Sequence, residues 1–175
     1  MNPWHDIEAK RVSHEKFVAV IEISMSSKKK YELDKESGML ILDRVLFTST
    51  HYPANYGFIP KTLSQDGDPL DVLVLCQEHL DPLTLVECYP IGVIKMIDEE
   101  SVDEKIIAIP FGDPSLSCYS DISELPNHRF REIKHFFEVY KFLEDKITSV
   151  EEIYGRVVAE EVIKDSIKNY IEFMA

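Results

Sequence analysis

Short apolar runs, not long ones, set the pattern of this chain. Phe17–Ile23 (FVAVIEI) is rich in β-branched side chains, and residues 39–42 (MLIL) form a brief run of the kind that is buried. Residues 72–75, 83–88, 91–96 and 105–109 repeat the theme. Such side chains suit a pleated, half-buried surface, so each run predicts a strand. Turn-forming residues stand between them: Ser37-Gly38, Asp66-Gly67-Asp68-Pro69, Asp81-Pro82 and Phe111-Gly112-Asp113-Pro114. Strands this short at this spacing predict a closed or nearly closed β-barrel. Farther on the period changes. Ile133, Phe136, Phe137 and Tyr140 fall at i, i+3, i+4 and i+7, and Ala159, Val162, Ile163, Ile167, Tyr170, Ile171 and Met174 make a longer stripe of the same kind. The pattern is that of an α+β, mainly β chain, a barrel with two C-terminal helices packed outside it.

Length and composition narrow this picture. At 175 residues, with 45% hydrophobic and 29% charged residues, the chain has the size of one domain with its own core, expected to run over residues 1–175. No apolar run reaches the roughly 20 residues that span a bilayer, and the opening MNPWHDIEAK has no apolar stretch of the secretory kind. Cys76, Cys88 and Cys118 form no CxxC pair and are odd in number. Free thiols in a reducing, cytoplasmic compartment are therefore expected. The formal net charge of −13 argues against nucleic acid or an anionic membrane as partner, since both require a basic face.

Some of the acids are gathered. Residues 66–71 (DGDPLD) hold three carboxylates in a stretch that Gly67 and Pro69 force to turn. At ~5 Å and an effective dielectric near 20, two ionised carboxylates repel by roughly 3 kcal/mol. Such a cluster is either exposed and splayed, a solvated turn, or it holds a cation. It is not a calcium-sensor loop, because Leu70, Asp71 and Gln77 stand where that loop needs an acid, a glycine and a glutamate. A second group, Asp98-Glu99-Glu100 with Asp103-Glu104, lies between two expected strands and reads as a hairpin tip. Asp103 and Lys105 share strand parity. Glu22 interrupts an apolar strand, and Lys30 and Glu32 project on one face. An ordinary cross-strand ion pair explains Lys30 and Glu32 as well as a site does. Residues 43–60 hold Arg44, Tyr52 and Tyr56, and Tyr140-Lys141 falls on the first helical stripe. An arginine fork and neutral phenols suit phosphate oxygens, although tyrosines beside turns are as often packing residues. Hard carboxylate oxygens without His or Cys partners select Mg²⁺ or Mn²⁺ over Zn²⁺. Together these groups describe a place for several divalent cations and a highly charged oxyanion, with phosphate the natural candidate.

These residues carry a resemblance to a known family. The chain closely resembles the soluble family I inorganic pyrophosphatases over nearly its whole length. The signature Asp-x-Asp-Pro-x-Asp stands at 66–71. Around it, in the family's order, stand Glu22, Lys30-Tyr31-Glu32-Leu33-Asp34-Lys35, Asp43-Arg44, Tyr52-Pro53-Ala54-Asn55-Tyr56-Gly57, Lys95-Met96-Ile97-Asp98-Glu99, Asp103, Lys105, His135-Phe136-Phe137 and Tyr140-Lys141. The segment after Lys141 is less typical, and Val139 and Phe142 put apolar groups beside the Tyr-Lys pair where polar ones are familiar.

The resemblance implies a five-stranded OB-like barrel, a cytoplasmic enzyme and a homohexamer. It implies hydrolysis of pyrophosphate, presented as its magnesium complex, by a water or hydroxide bridging two of several Mg²⁺ ions, with Mn²⁺ a possible substitute. Carried over by position, Asp66, Asp71, Asp98 and Asp103 would hold metal, Glu32 would reach one through water, and Glu22 and Glu99 complete the acidic set. Asp68 would be the general base, Lys105 would steady the phosphate, and Tyr52 would hydrogen-bond near the nucleophile. Lys30, Arg44, Tyr56, Tyr140 and Lys141 would bind phosphoryl oxygens. Two other readings compete. A hydrolase of nucleoside triphosphates is disfavoured because the chain has no Walker motif and no GxGxxG. A non-catalytic binding module would have no need of Asp68.

Overall fold

The computed structural model describes residues 1–175. Its strands are β1 (Phe17–Ile23), β2 (Lys29–Leu33), β3 (Leu40–Val45), β4 (Asn55–Ile59), β5 (Leu70–Val74), β6 (Leu85–Asp98) and β7 (Ser101–Pro110). Helix α1 (Asn127–Val139), strand β8 (Thr148–Gly155) and helix α2 (Arg156–Met174) follow. Neighbours run β1-β4-β5-β7-β6, and β6 pairs back onto β1 through Phe17 opposite Cys88 and Val20 opposite Leu85. Five strands therefore close a ring, the OB-like barrel, with β6 running on past its pairing with β1. All its pairings are antiparallel except β5 with β7. Strands β2 and β3 form a separate hairpin beside the barrel.

Closure depends on a close approach at one glycine. Gly57 in β4 lies opposite Ile21 of β1, and a Cβ there would meet the Val20 carbonyl at 1.8 Å. The apolar interior divides between the two helices. Leu73, Ile91, Ile94 and Ile107 pack with Phe136 and Phe137 of α1. On the other side Ile21, Val72, Val93 and Ile106 pack with Ala159 and Ile163 of α2. A segment ahead of β1 is also anchored: Trp4 is 4% exposed and its indole N–H donates to the Thr62 carbonyl at 2.9 Å. No helix is long and apolar enough to cross a membrane.

Five details depart from the pattern reading, the first being that Asn55–Ile59, in which no apolar run predicts a strand, is β4. The expected strands at 83–88 and 91–96 are one strand, β6, carrying a bulge between Pro90 and Gly92 where the missing proline donor is tolerated. The run at 39–42 is not buried: Met39, Ile41 and Leu42 are exposed, because β3 has only β2 as a partner. Strand β8 was not foreseen, and it extends the sheet along β6 from Gly92 to Asp98. Lastly, α1 ends at Val139, so Tyr140 caps the helix and Lys141 lies in the turn beyond it.

Candidate active site

A cavity of about 250 Å³ opens between the barrel, the β2–β3 hairpin and the end of α1. Its walls carry Glu22 from β1, Lys30 and Glu32 from β2, Tyr56 from β4, Asp66 and Asp68 from the following loop, and Asp71 from β5. Asp98 at the end of β6, Asp103 and Lys105 from β7, and Tyr140 and Lys141 after α1 complete it. The sheet register explains much of the convergence. Asp71 and Lys105 are direct partners in the parallel pair β5–β7. Asp103, two residues before Lys105, faces the same side of its strand.

The innermost group is Lys105, 3% exposed. Its ammonium donates to Asp71 Oδ2 at 2.8 Å and to the Tyr56 hydroxyl at 2.9 Å, and stands 3.1 Å from Asp103 Oδ2. Burial works against its charge, but Asp103 and Asp71 prevail and hold it well above the ordinary lysine range. Burial pushes the Asp71 carboxyl up to about 6, with the Lys105 charge opposing. Burial likewise lifts the phenols of Tyr52, Tyr56 and Tyr140, so all three remain neutral hydrogen-bond donors at physiological pH. Glu22 is 8% exposed and accepts the Leu33 N–H at 2.7 Å. Burial and the neighbouring Asp71 raise it to about 8. Burial also raises Asp66, with Asp68 adding to the effect, while the Asp68 N–H donated to Asp66 Oδ1 at 3.0 Å works against it.

Each lysine around the cavity is engaged by an acid. Lys30 bonds Glu32 at 2.6 Å, Lys141 bonds Asp98 at 2.7 Å, and Lys35 bonds Asp68. Three residues in the expected set do not line the cavity. Tyr52 is buried behind its wall, its ring 5.3 Å from Tyr56 and 4.8 Å from Phe136. Arg44 is tied up by Asp43 and by Glu144, whose Oε1 stands 2.8 Å from the guanidinium Nε. Glu99 sits at the tip of the β6–β7 hairpin with φ +49°, outside the walls of the cavity. Two residues to which sequence reasoning gave no role enter here. Lys35 lines the cavity and Glu144 holds Arg44. Only the position of Lys35 within the Lys30–Lys35 run hinted at the first, and nothing local marked the second.

The donor set suits a hard divalent cation. Asp98 Oδ1 is buried without a hydrogen-bond partner, an acceptor left over after Lys141 has taken its twin. Asp71 and Asp103 turn oxygens toward one point, now filled by the Lys105 ammonium. No three of the acids close on a common point as they stand. Mg²⁺ does not require that, since it keeps most of its waters and binds through one or two carboxylates. The arrangement can thus gather hydrated cations on its acids and present lysines and phenols, interleaved with them, to an oxyanion.

Known proteins resemble this chain along nearly its whole length. The family model described as "Inorganic pyrophosphatase" matches residues 19–171. Soluble inorganic pyrophosphatase 2 of Chlamydomonas reinhardtii is 48% identical over 171 residues, covering 98% of this chain and 89% of that protein. A soluble inorganic pyrophosphatase of Zea mays is 46% identical over 173 residues, covering 99% and 81%. Among solved structures, an inorganic pyrophosphatase from Helicobacter pylori superposes with a TM-score of 0.90 at 44% identity, covering 95% of this chain and 99% of that one. One from Thermus thermophilus gives 0.87 at 41% identity, covering 90% and 92%.

Proposed function

The chain belongs to the inorganic pyrophosphatase family and hydrolyses inorganic pyrophosphate to two orthophosphates, and from that premise we propose how its residues divide the work. The observation that carries the reading is the meeting of Asp71, Asp103, Tyr56 and Lys105 around one buried ammonium. It puts cation-binding oxygens and phosphate-binding donors within one contact of each other.

Asp66, Asp71, Asp98 and Asp103 are the metal-holding carboxylates, with Glu32 and Glu22 bordering them. Several Mg²⁺ ions, or Mn²⁺ in their place, would supply positive charge for the phosphoryl oxygens and lower the pKa of a coordinated water. Asp68 stands in the same loop with its side chain half exposed, and it takes the proton from the attacking water as general base. Lys30, Lys141, Tyr56 and Tyr140 donate to the oxygens of substrate and leaving phosphate. Their fixed donors stabilise charge moving onto the leaving group, where most of the catalysis of phosphoryl transfer resides. Lys105 steadies the phosphate nearest Asp71. Tyr52, buried against Tyr56, supports that phenol from behind. Arg44 is a phosphate ligand only once it turns from Glu144. Glu99, at its hairpin tip, has the least support as a ligand.

A homo-oligomer, the hexamer favoured, is supported by exposed apolar side chains on and just after β3 (Ile41, Val45 and Phe47) and between α1 and β8 (Phe142, Leu143 and Ile147). A cytoplasmic location is supported by three unpaired thiols.

The test is phosphate release from pyrophosphate and from ATP, each with and without Mg²⁺, alongside Asp68→Asn and light scattering. Mg²⁺-dependent release from pyrophosphate alone, cut by about 10²–10⁴-fold in Asp68→Asn, is the expected result. Release without added metal, or a fully active Asp68→Asn, would overturn the assignment of metals or base. Equal turnover of ATP would shift the site toward organic pyrophosphates.

A further inference from the structure

Lys35 has a place in the molecule that an ordinary surface lysine does not. It sits at the tip of the β2–β3 hairpin, where Asp34 N–H bonds the Met39 carbonyl and Gly38 N–H bonds the Asp34 carbonyl, both at 2.8 Å. The N-terminal segment fixes that tip from outside. Asn2 Nδ2 donates to the Lys35 carbonyl at 2.7 Å. Gly38, at φ +75°, lies so close to the Met1 carbonyl that a Cβ would meet its oxygen at 2.3 Å. The Lys35 ammonium passes 5.6 Å from the Trp4 ring centroid and reaches across the mouth of the cavity to Asp68. The hairpin belongs to its own sheet, so this ion pair bridges two separate parts of the fold over the site.

We propose that Lys35 is an exchangeable counterion at the cavity mouth, paired with Asp68 until cations load and then binding a phosphoryl oxygen of the incoming pyrophosphate. This rests on the reading of Asp68 and its neighbours given above. The reasoning is electrostatic. Lys35 and Asp68 are both about half exposed, so their pair is weak and exchanges readily. A divalent cation held by Asp66, beside Asp68 in the same loop, offsets the Asp68 charge and repels the ammonium paired with it. The released ammonium is still tethered by the anchored tip, so it remains at the mouth. There it meets the one ligand whose charge matches, a metal-bound pyrophosphate with oxygens left over. The lysine thus opposes cations and favours substrate, two effects of opposite sign from one group.

Those signs give the experiment. Lys35→Met and Lys35→Arg are compared with the unaltered protein by calorimetric titration of the metal-stripped protein with Mg²⁺ alone, and by steady-state hydrolysis of Mg-pyrophosphate. In Lys35→Met, Mg²⁺ binding tightens by about threefold, the size of one exposed ion pair removed. KM rises by about fivefold, for one charged contact to phosphate lost. The loss falls mainly on KM and not on kcat, and Lys35→Arg restores both quantities. A general distortion of the site would weaken metal and substrate together, and that outcome overturns the proposal. So does an unchanged KM, or Mg²⁺ binding that does not tighten. Hydrolysis by the unaltered protein tests the pyrophosphatase reading separately, so failure of the Lys35 variants to behave this way counts against Lys35 alone.

Discussion

Removing the charge of Glu22 should stabilise the metal-free protein, and by an amount that depends on pH. Glu22 is nearly enclosed, with its one hydrogen bond from the Leu33 N–H and the Asp71 carboxylate nearby. Its carboxyl is raised from an ordinary 4.5 to about 8. Below about pH 4.5 it is protonated whether the chain is folded or not, and it contributes nothing to the pH dependence. Between those two values the unfolded chain releases the proton while the folded one keeps it, so stability falls as pH rises. Above about pH 8 both forms are ionised and the loss is complete. At about 1.4 kcal/mol for each pH unit between the two values, the full loss is on the order of 5 kcal/mol. Glu22→Gln cannot ionise, and its amide oxygen can still accept the Leu33 N–H.

Thermal unfolding in a chelator therefore should show the two proteins alike near pH 5 and diverging above it, Glu22→Gln melting higher. For a domain of this size each kcal/mol moves the midpoint by about 2–4 °C, so the gap near pH 8.5 should be about 10–20 °C. Mg²⁺ should narrow it, because a cation in the cavity favours the ionised carboxylate of the unaltered protein. Melting curves that remain parallel from acid to alkaline pH would refute the reasoning, since they would mean that Glu22 ionises as freely inside the fold as outside.

Two further substitutions test other parts of the framework. Lys105→Met leaves Asp71 and Asp103 facing each other without their ammonium, and breaking such a buried pair costs about 3–5 kcal/mol. The melting point in chelator should drop accordingly, and Mg²⁺ should recover more of it than it adds to the unaltered protein; no extra recovery would argue against a cation entering between these acids. Gly57→Ala drives a methyl group into the Val20 carbonyl, and overpacking of this kind costs at least about 1–3 kcal/mol. Soluble yield and melting point should both fall, and an unchanged melting point would show that β1 and β4 can part there.

The sequence displayed this fold unevenly, and the reason lies in where each signal comes from. Strand β1 was plain because all its side chains are buried on both faces, so it reads as one apolar run. Strand β4 (NYGFI) was hidden because its glycine and polar residues resemble a turn, whereas Gly57 is there for the backbone contact with β1. The first half of β7 was obscured by Asp103 and Glu104, acids that mark the site and weaken the strand pattern. In β8 the charges at Glu151 and Glu152 had the same effect, and its existence depends on the long free edge of β6. The site followed the same division. Asp66, Asp68 and Asp71 are close in sequence and were conspicuous. The link between Arg44 and Glu144 joins residues a hundred positions apart, and no local pattern can carry it.

The charge around the cavity explains why cations and substrate must act together. Seven carboxylates line it against four lysines, a formal excess of three negative charges, within a chain that is itself at −13. Pyrophosphate alone would be repelled both at a distance and at the mouth. Every lysine that could receive it is already held by an acid: Lys30 by Glu32, Lys35 by Asp68, Lys105 by Asp71 and Asp103, Lys141 by Asp98. Divalent cations resolve both difficulties at once, since they reverse the local charge and, by occupying the acids, release the lysines toward phosphate. On this argument the acids are not merely metal ligands and the lysines not merely phosphate ligands. Each set keeps the other stable until its own ligand arrives, and a protein that lacked either set would carry an uncompensated cluster of like charge at the centre of its fold.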